Sequence, residues 1–118
     1  FLHSLRNITQ AEMPYYFNAA DLVLLTSLWE GSPNVIKEAM ACNCPIVSTN
    51  VGDVKWVLGD TEGCYVASFK PEDVARKIGL ALDFGKRTNG RQRILELRLD
   101  SNSIAEKIID LYKDALNQ

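Results

Sequence analysis

The stretch LVLLTSLWEGSPNVIKEAMACNCPIVSTNVGD, residues 22–53, decides the fold class. Residues 22–25 are apolar at successive positions, which is typical of a strand covered on both faces and so of a parallel sheet. The segment PNVIKEAMA predicts a helix with Pro33 at its first helical position, because proline is tolerated where the backbone N–H has no helical partner. The apolar run PIVS predicts the next strand. Residues 22–53 therefore predict a strand–helix–strand unit.

Elements on both sides of this unit continue the alternation. Before it, FLHSL predicts a short strand, and TQAEMPYYFNAA predicts a helix with Pro14 in its first turn. Ala11, Tyr15 and Ala19 would share one face of that helix. After it, DVKWVL predicts a short helical turn and GCYVA a further strand. Strands that alternate with helices predict an α/β layered fold, a Rossmann-like parallel sheet with flanking helices.

Three helices are predicted in the last third of the chain. PEDVARKIGLALDF has proline and acidic residues in its first turn, with Val74, Ile78 and Leu82 at four-residue spacing. After the loop GKRTNG, the segments RQRILELRL and DSNSIAEKIIDLYKDALNQ predict two more. The last is capped by Asp100, Ser101 or Ser103. Its predicted apolar stripe consists of Ile104, Ile108, Leu111, Tyr112 and Ala115.

Composition excludes several classes of function. The 118 residues are 47% hydrophobic and 24% charged with a net charge of −2, the profile of a globular domain or part of one. No basic patch indicates a nucleic-acid partner, and no apolar run approaches the roughly 20 residues of a membrane span. Cys42, Cys44 and Cys64 form no Cys-x-x-Cys pattern, and His3 is the only histidine. We expect reduced thiols in a cytoplasmic protein that has no metal site and no cofactor.

The turn before the predicted helix is the candidate binding site. Ligands of open parallel sheets bind beyond the carboxyl ends of the strands, where a helix start offers free N–H groups. Gly31 allows close approach, Ser32 is the expected cap, and the N–H groups of Asn34, Val35 and Ile36 are expected to be free. This arrangement would fit an anion such as a diphosphate.

Two glutamates, Glu30 and Glu38, flank this predicted anion site. A carboxylate accepts hydrogen bonds from the neighbouring hydroxyls of sugar and ribose, whereas it would repel phosphate. A nucleotide sugar has phosphates between two polyols, so its hydroxyls would suit the two glutamates and its phosphates would suit the anion site. The residues alone equally allow a glutamate that complements the helix dipole and a serine that only caps. STNVGD, with Gly52, is a second loop at this edge, and Trp29 and Trp56 receive no role.

The segment AADLVLLTSLWEGSPNVIKEAMACNCPIVSTNVGDVKWVLGDTEGCYV resembles the donor-binding half of retaining glycosyltransferases of the GT-B fold, group 1 or family four. The resemblance covers Phe1 to Phe84, and two glutamates separated by seven residues are its specific signal. It implies that Glu30 contacts hydroxyls of the donor sugar as the catalytic residue and that Glu38 holds the ribose. It also implies that the backbone from Gly31 to Val35 faces the sugar and phosphates and that retaining transfer of a hexose needs no metal.

The sequence departs from the family pattern in several places. Gly52-Asp53 stands where the family often has Gly-Gly, and Trp56 where a glutamate is frequent. The basic pair that grips the diphosphate and the amino-terminal domain that binds a sugar or lipid-linked acceptor would both precede residue 1. We therefore expect residues 1–118 to form a partial donor-binding domain that is inactive alone and self-associates through a bare strand edge. Peripheral membrane association is expected only of the intact enzyme.

Other functions remain open on the residues alone. A flavodoxin-like or receiver-like interaction module has the same alternation of strands and helices, but it gives no reason for the two glutamates. A sugar epimerase on the same fold is a second alternative. A dehydrogenase is disfavoured because the sequence contains no G-x-G-x-x-G motif. Nucleotide binding would separate a transferase from an interaction module, and product analysis would separate it from an epimerase.

Overall fold

A computed structural model describes residues 4–118. Of the predicted strand FLHSL, residues 1–3 lie outside the described residues, and Ser4 and Leu5 are irregular. The other predicted helices and strands are confirmed, with boundaries shifted by a few residues. The elements are α1 (Met13–Ala19), β1 (Val23–Leu25), α2 (Asn34–Ala41), β2 (Ile46–Thr49), α3 (Val54–Leu58), β3 (Cys64–Ala67), α4 (Pro71–Phe84), α5 (Gly90–Glu96) and α6 (Ser101–Leu116).

Within residues 4–118, the sheet has three parallel strands in the order β1-β2-β3. Val23 lies opposite Ile46, and Ile46 lies opposite Cys64. All four residues of the central strand β2 are buried, so β2 is the strand covered on both faces. The sequence predicted that residues 22–25 are covered on both faces. This prediction is wrong, because β1 is an edge strand among residues 4–118 and its Leu24 is 45% exposed. The α/β class with a parallel sheet is confirmed.

Helices cover both faces of the sheet. Helix α4 packs on one face, where Val47 and Ala67 of the sheet meet Ala81. Leu82, which shares the predicted four-residue spacing of Val74 and Ile78, is 50% exposed. Each four-residue step on a helix turns about 40° more than a full turn, so Leu82, two steps after Val74, has rotated away from the sheet. Ala81 lies seven residues after Val74, close to two full turns, and so lies almost directly above it. The larger core, on the other face, includes Phe17, Ile36, Ala39, Met40, Ile46, Val54, Val57, Leu58 and Ile94.

The face of α1 that packs on the core is not the one shared by Ala11, Tyr15 and Ala19. Ala11, Tyr15 and Ala19 are exposed, and Tyr15 is 76% exposed. Phe17 is the buried residue of α1, and Met13 packs against the same core. The large apolar surface of Phe17 gains more from burial than the small alanines would, and this sets the rotation of the helix. Pro14 lies in the first turn, as predicted.

Helix α6 forms as predicted but packs differently. Asp100 is its cap, because its carboxylate accepts a hydrogen bond from the Ser103 N–H at 3.0 Å. The predicted apolar stripe lies on one side of α6, yet none of the helix residues is buried. Leu111 and Tyr112 are 68% and 69% exposed. The periodicity therefore predicted the helix correctly, but the stripe does not join the core formed by residues 4–118.

One arginine from the loop after α4 forms hydrogen bonds with the carboxyl ends of α1 and α2. The Arg87 guanidinium donates hydrogen bonds of 2.9 Å to the carbonyls of Phe17, Ala20 and Cys42. Ala20 and Cys42 are the C-caps of α1 and α2, where unpaired carbonyls carry partial negative charge. This arginine therefore fixes the carboxyl end of α2, whose opposite end contributes to the candidate site.

The start of α4 gives a prediction about acid stability. Asp73 accepts hydrogen bonds from the Ser68 N–H at 2.7 Å and from Arg76 at 2.8 Å. The backbone bond from Ser68, followed by the bond from Arg76, lowers the pKa of Asp73 to about 2. Because the pKa of Asp73 is lower in the folded protein than in the unfolded chain, its carboxylate stabilises the fold at pH values above the unfolded pKa. This contribution is lost as the pH falls through about 2. We expect Asp73→Asn to lower the unfolding temperature at pH 6 but much less at pH 2, measured by circular dichroism. An equal loss at both pH values would contradict this assignment.

Candidate functional site

The candidate site lies at the carboxyl ends of β1 and β2. Residues 26–33 connect β1 to α2, and residues 50–53 connect β2 to α3. Parallel strands present their carboxyl ends at one edge of the sheet, so both loops meet there. A cavity of about 230 Å³ between them is lined by Leu28, Trp29, Glu30, Asn50, Val51 and Gly52. The two loops predicted from the sequence are therefore brought together.

Backbone contacts hold these two loops against each other. The Asp53 N–H donates a hydrogen bond of 3.1 Å to the Gly31 carbonyl. Gly52 has a φ of +51°, and a Cβ at this position would lie 2.0 Å from the Gly31 oxygen. Only glycine fits such an approach and readily adopts this conformation. Gly52 therefore allows the loop contact, and the position of Gly31 depends on it.

Glu30 is half-buried in the wall of this cavity. One of its carboxylate oxygens, Oε1, accepts a hydrogen bond of 2.8 Å from the Ser27 hydroxyl. The Ser27 carbonyl in turn accepts a hydrogen bond of 2.6 Å from Thr49 at the end of β2. A carboxylate has about four acceptor positions, so Glu30 can also accept hydrogen bonds from ligand hydroxyls. The neighbouring Trp29 is 91% exposed, which excludes a role in the core.

The start of helix α2 differs from its prediction in three details. Pro33 is the N-cap and Asn34 the first helical residue, so the helix begins one residue later than predicted. No side chain caps it, because the Ser32 hydroxyl is engaged elsewhere. The Ile36 N–H donates to the Pro33 carbonyl at 3.3 Å and is not free. Among residues 4–118, the Asn34 and Val35 N–H groups donate no backbone hydrogen bond.

Ser32 takes part in a polar chain that the sequence did not predict. The Lys37 ammonium donates a hydrogen bond to the Ser32 hydroxyl, and this hydroxyl donates one to Oδ2 of Asp53. The other Asp53 oxygen, Oδ1, is buried and has no hydrogen-bond partner in the described part of the chain. The long side chain of Lys37 folds back toward the turn. No sequence spacing indicates such a contact between residues five apart on different elements.

Glu38 does not share the cavity of Glu30. It is half-buried and lines a second cavity of about 200 Å³ between α1 and α2, together with Gln10, Met13, Pro14 and Phe17. Along α2, Glu38 lies four residues after Asn34, a rise of about 6 Å at 1.5 Å per residue. The two glutamates therefore open into different cavities, with the start of α2 between them in the chain. Gln10 and Met13 are cavity residues that the sequence pattern missed.

The chain matches one family over most of its length. A sequence model of the family described as Glycosyl transferases group 1 matches residues 2–84. The chain belongs to the group 1 glycosyltransferase family. The matched region contains α1 to α4, the three strands and both site loops. The resemblance carried by the paired glutamates is thus confirmed at the level of the family.

Individual glycosyltransferases support the same conclusion. The chain is 31% identical over 113 residues to D-inositol 3-phosphate glycosyltransferase of Salinispora tropica, covering 92% of this chain and 23% of the relative. It is 25% identical over 122 residues to MMP alpha-(1->4)-mannosyltransferase of Mycolicibacterium hassiacum, covering 98% of this chain and 29% of the relative. The chain thus spans about a quarter of the length of these two relatives.

A solved structure gives the same result for the fold. Sucrose-phosphate synthase from Thermosynechococcus elongatus superimposes with a TM-score of 0.73 and 26% identity, covering 86% of this chain and 27% of that chain. The Rossmann-like architecture predicted for part of a GT-B enzyme is therefore confirmed. Within residues 4–118, no helix is long and apolar enough to cross a membrane.

Proposed function

We propose that this group 1 glycosyltransferase binds a nucleotide-sugar donor at the carboxyl edge of its sheet and transfers the hexose to an acceptor with retention. The observation that carries the proposal is that two half-buried carboxylates line separate cavities, Glu30 before the start of α2 and Glu38 four residues inside it, while the helix start has free N–H groups. Carboxylates suit the hydroxyls of a sugar and a ribose, and the helix start suits the diphosphate between them. Residues 1–118 would form part of the donor-binding domain.

The cavity of Glu30 is the proposed sugar site. Glu30 is fixed by Ser27 and keeps acceptor capacity for sugar hydroxyls, so it would position the reacting ring as the catalytic residue. Gly31 is exposed, and an added Cβ there would meet no atom within 4 Å. A ligand can therefore approach its backbone closely. The exposed ring of Trp29 would pack on the apolar face of the sugar.

The cavity of Glu38 is the proposed nucleoside site. Glu38 would accept hydrogen bonds from the ribose hydroxyls, and the apolar groups of Met13, Pro14 and Phe17 offer a surface for a flat base. At the start of α2, the free N–H groups of Asn34 and Val35 would bind the phosphates. Ser32 and Pro33 belong to this turn through their backbone. No step of the proposed mechanism uses a metal or a cofactor.

Binding of nucleoside diphosphates to the full-length polypeptide that contains residues 1–118 tests the proposal. We expect one of uridine, guanosine or adenosine diphosphate to bind in calorimetric titration, and the matching nucleotide sugar to be turned over. The product should keep the anomeric configuration of the donor, as determined by NMR. Absence of binding would favour an interaction module, and conversion of the donor sugar into an epimer without transfer would favour an epimerase.

A polypeptide of residues 1–118 alone is expected to transfer no sugar. In the proposed enzyme, the acceptor would bind to a separate amino-terminal domain. Without the acceptor, no positioned nucleophile attacks the donor, and the advantage of proximity is lost. Transfer of radiolabelled hexose to an acceptor by this polypeptide would contradict the prediction.

We also propose a sugar or lipid-linked acceptor and a cytoplasmic location, with peripheral membrane association of the intact enzyme and self-association of this polypeptide through β1.

A further inference from the structure

Helix α6 carries an exposed apolar face. At about 100° per residue, its apolar side chains fall within an arc of about 160° that contains only one polar residue, Ser101. This α6 face consists of Ile104, Ala105, Ile108, Ile109, Leu111, Tyr112, Ala115 and Leu116. Its large side chains from position 108 onward are between 47% and 86% exposed. We infer that the α6 face is an interface between two copies of this chain, which pair through antiparallel α6 helices.

A helix of this length needs a partner for its apolar face. Isolated helices of about 12–15 residues are only marginally stable in water, and most helical stability in proteins comes from the packing of an amphipathic face. Helix α6 has 16 residues, and none of them is buried. Arg98 pairs with Glu106 at 2.7 Å, and its carbonyl accepts a hydrogen bond of 3.0 Å from Lys107. These polar contacts hold the first half of α6 but leave its apolar face open.

The charged side of α6 argues against a membrane as the occupant of this face. Helices that lie on anionic membranes carry many lysines and arginines opposite their apolar side. In α6 the charged residues are Glu106, Lys107, Asp110, Lys113 and Asp114, so acidic groups outnumber basic ones. A second protein surface is the occupant that fits this charge.

The apolar spacing of α6 suits pairing with a second helix of the same sequence. Ile104, Ile108, Leu111 and Ala115 follow one another at intervals of four, three and four residues, which is the spacing of a coiled-coil seam. In an antiparallel pair, Ile108 would face Leu111 of the other copy. Ile104 would face the small Ala115, so the two ends of the seam each combine a large residue with a small one.

The charges that border the α6 face suit the same arrangement. One border carries Lys107 and Asp114, and the other carries Glu106 and Lys113. Two-fold symmetry brings each border of an antiparallel pair against the same border of the other copy in reverse order. Lys107 then lies near Asp114, and Glu106 lies near Lys113, so opposite charges meet on both sides. Charges at these positions set partner choice and orientation in coiled coils.

The oligomeric state of the full-length polypeptide that contains residues 1–118 tests the inference. We expect a dimer in sedimentation equilibrium, with a Kd in the micromolar range because the face is short. Leu111→Glu places a charge in the seam of both copies. It should raise the Kd by at least roughly 100-fold, because loss of a central contact commonly costs more than about tenfold and each dimer loses it twice. Leu82→Glu makes the same change at an exposed leucine of α4 and should leave the Kd unchanged.

Two charge reversals test the antiparallel arrangement without altering the apolar face. Lys107→Glu and Asp114→Lys, each alone, should weaken the dimer several-fold, because like charges then meet twice in every dimer. An equimolar mixture of the two variants should regain the wild-type affinity, because every reversed charge then meets an opposite one on the other variant. Both positions are exposed, so these variants should fold even if Leu111→Glu does not.

Several results would overturn the inference. A monomeric wild type in which Leu111→Glu lowers the Tm would show that another part of the same polypeptide covers the α6 face. A dimer that Leu111→Glu leaves unchanged would point to another surface, such as the edge of β1. A mixture of the charge variants that binds no better than either alone would exclude antiparallel pairing. Vesicles of phosphatidylserine that bind the wild type but not Leu111→Glu would assign the face to a membrane.

These measurements are independent of the proposed function. None of them uses a nucleotide or a sugar, and the α6 face contains no residue of the cavities that hold Glu30 and Glu38. Loss of the dimer in Leu111→Glu would therefore support the interface whether or not the protein binds a nucleotide sugar.

Discussion

Glu38→Gln in the full-length polypeptide is expected to raise the KM of the nucleotide-sugar donor by roughly 10- to 150-fold. The substitution replaces a charged acceptor by a neutral one, and a hydrogen bond to a charged group contributes about 1.5–3 kcal/mol. Ribose binding is shared by the ground state and the transition state, so the loss should appear in KM with kcat nearly unchanged. The Kd of the free nucleoside diphosphate should rise by the same factor.

Glu30→Gln is the matched comparison, because the chemical change is the same and only the cavity differs. The positioning of the sugar ring matters more as the glycosidic bond breaks, so we expect kcat to fall by a comparable factor. The free nucleoside diphosphate has no sugar in that cavity and should bind almost as it does to the wild type. Steady-state kinetics and calorimetry on both variants measure these effects.

Because the two glutamates line different cavities, the two substitutions are expected to affect different parts of the bound donor. If Glu30→Gln weakens the free nucleotide as much as Glu38→Gln does, the assignment of the cavities is wrong. If neither substitution changes the kinetics, both glutamates have only the electrostatic role that acidic residues near a helix start often have.

Gly52→Ala is expected to destabilise the fold more than any other glycine substitution at the site. Its Cβ would lie 2.0 Å from the Gly31 oxygen and 2.9 Å from the Glu30 oxygen, both backbone atoms. A non-glycine residue at a φ of +51° adds a backbone cost of about 1–3 kcal/mol to this clash. We expect the Tm to fall by on the order of 5–15 °C, measured by differential scanning calorimetry.

Two other glycines provide controls for this substitution. Gly79→Ala, in the exposed middle of α4, meets no atom within 4 Å and should stabilise the protein slightly, because alanine is the better helix former. Gly31→Ala also meets no atom within 4 Å and should leave the Tm nearly unchanged. Because Gly31 faces the proposed ligand, the Gly31→Ala substitution should weaken donor binding instead. A Tm for Gly52→Ala equal to that of Gly31→Ala would contradict the loop contact.

Local patterns determined most of the secondary structure. Continuous apolar runs predicted β1 and β2, and Pro71 with its acidic first turn predicted the start of α4. The spacing of Glu30 and Glu38 indicated the family, because such a motif is a property of the sequence itself. These features depend on neighbouring residues, whose preferences act whatever the distant contacts are.

Packing directions depended on the tertiary structure. The apolar run 22–25 alone does not indicate that β1 lies at the sheet edge, since that depends on which strands pair with it, and a bare edge was expected only from the family resemblance. Phe17 rather than Tyr15 faces the core because α2 lies on that side of α1. The stripe of α6 has the correct period, but periodicity does not say whether another element covers it.

Within the site, the sequence by itself determined the turn, its two glutamates and the loop containing Gly52. Only the tertiary structure decided that the two glutamates open into different cavities, that Ser32 bonds Asp53 instead of capping α2, and that Lys37 turns back to Ser32. The physical reason is that a hydroxyl or an ammonium bonds to whichever partner the fold places within about 3 Å. Asp53 lies 21 residues from Ser32 along the chain, and only the pairing of β1 with β2 brings them together.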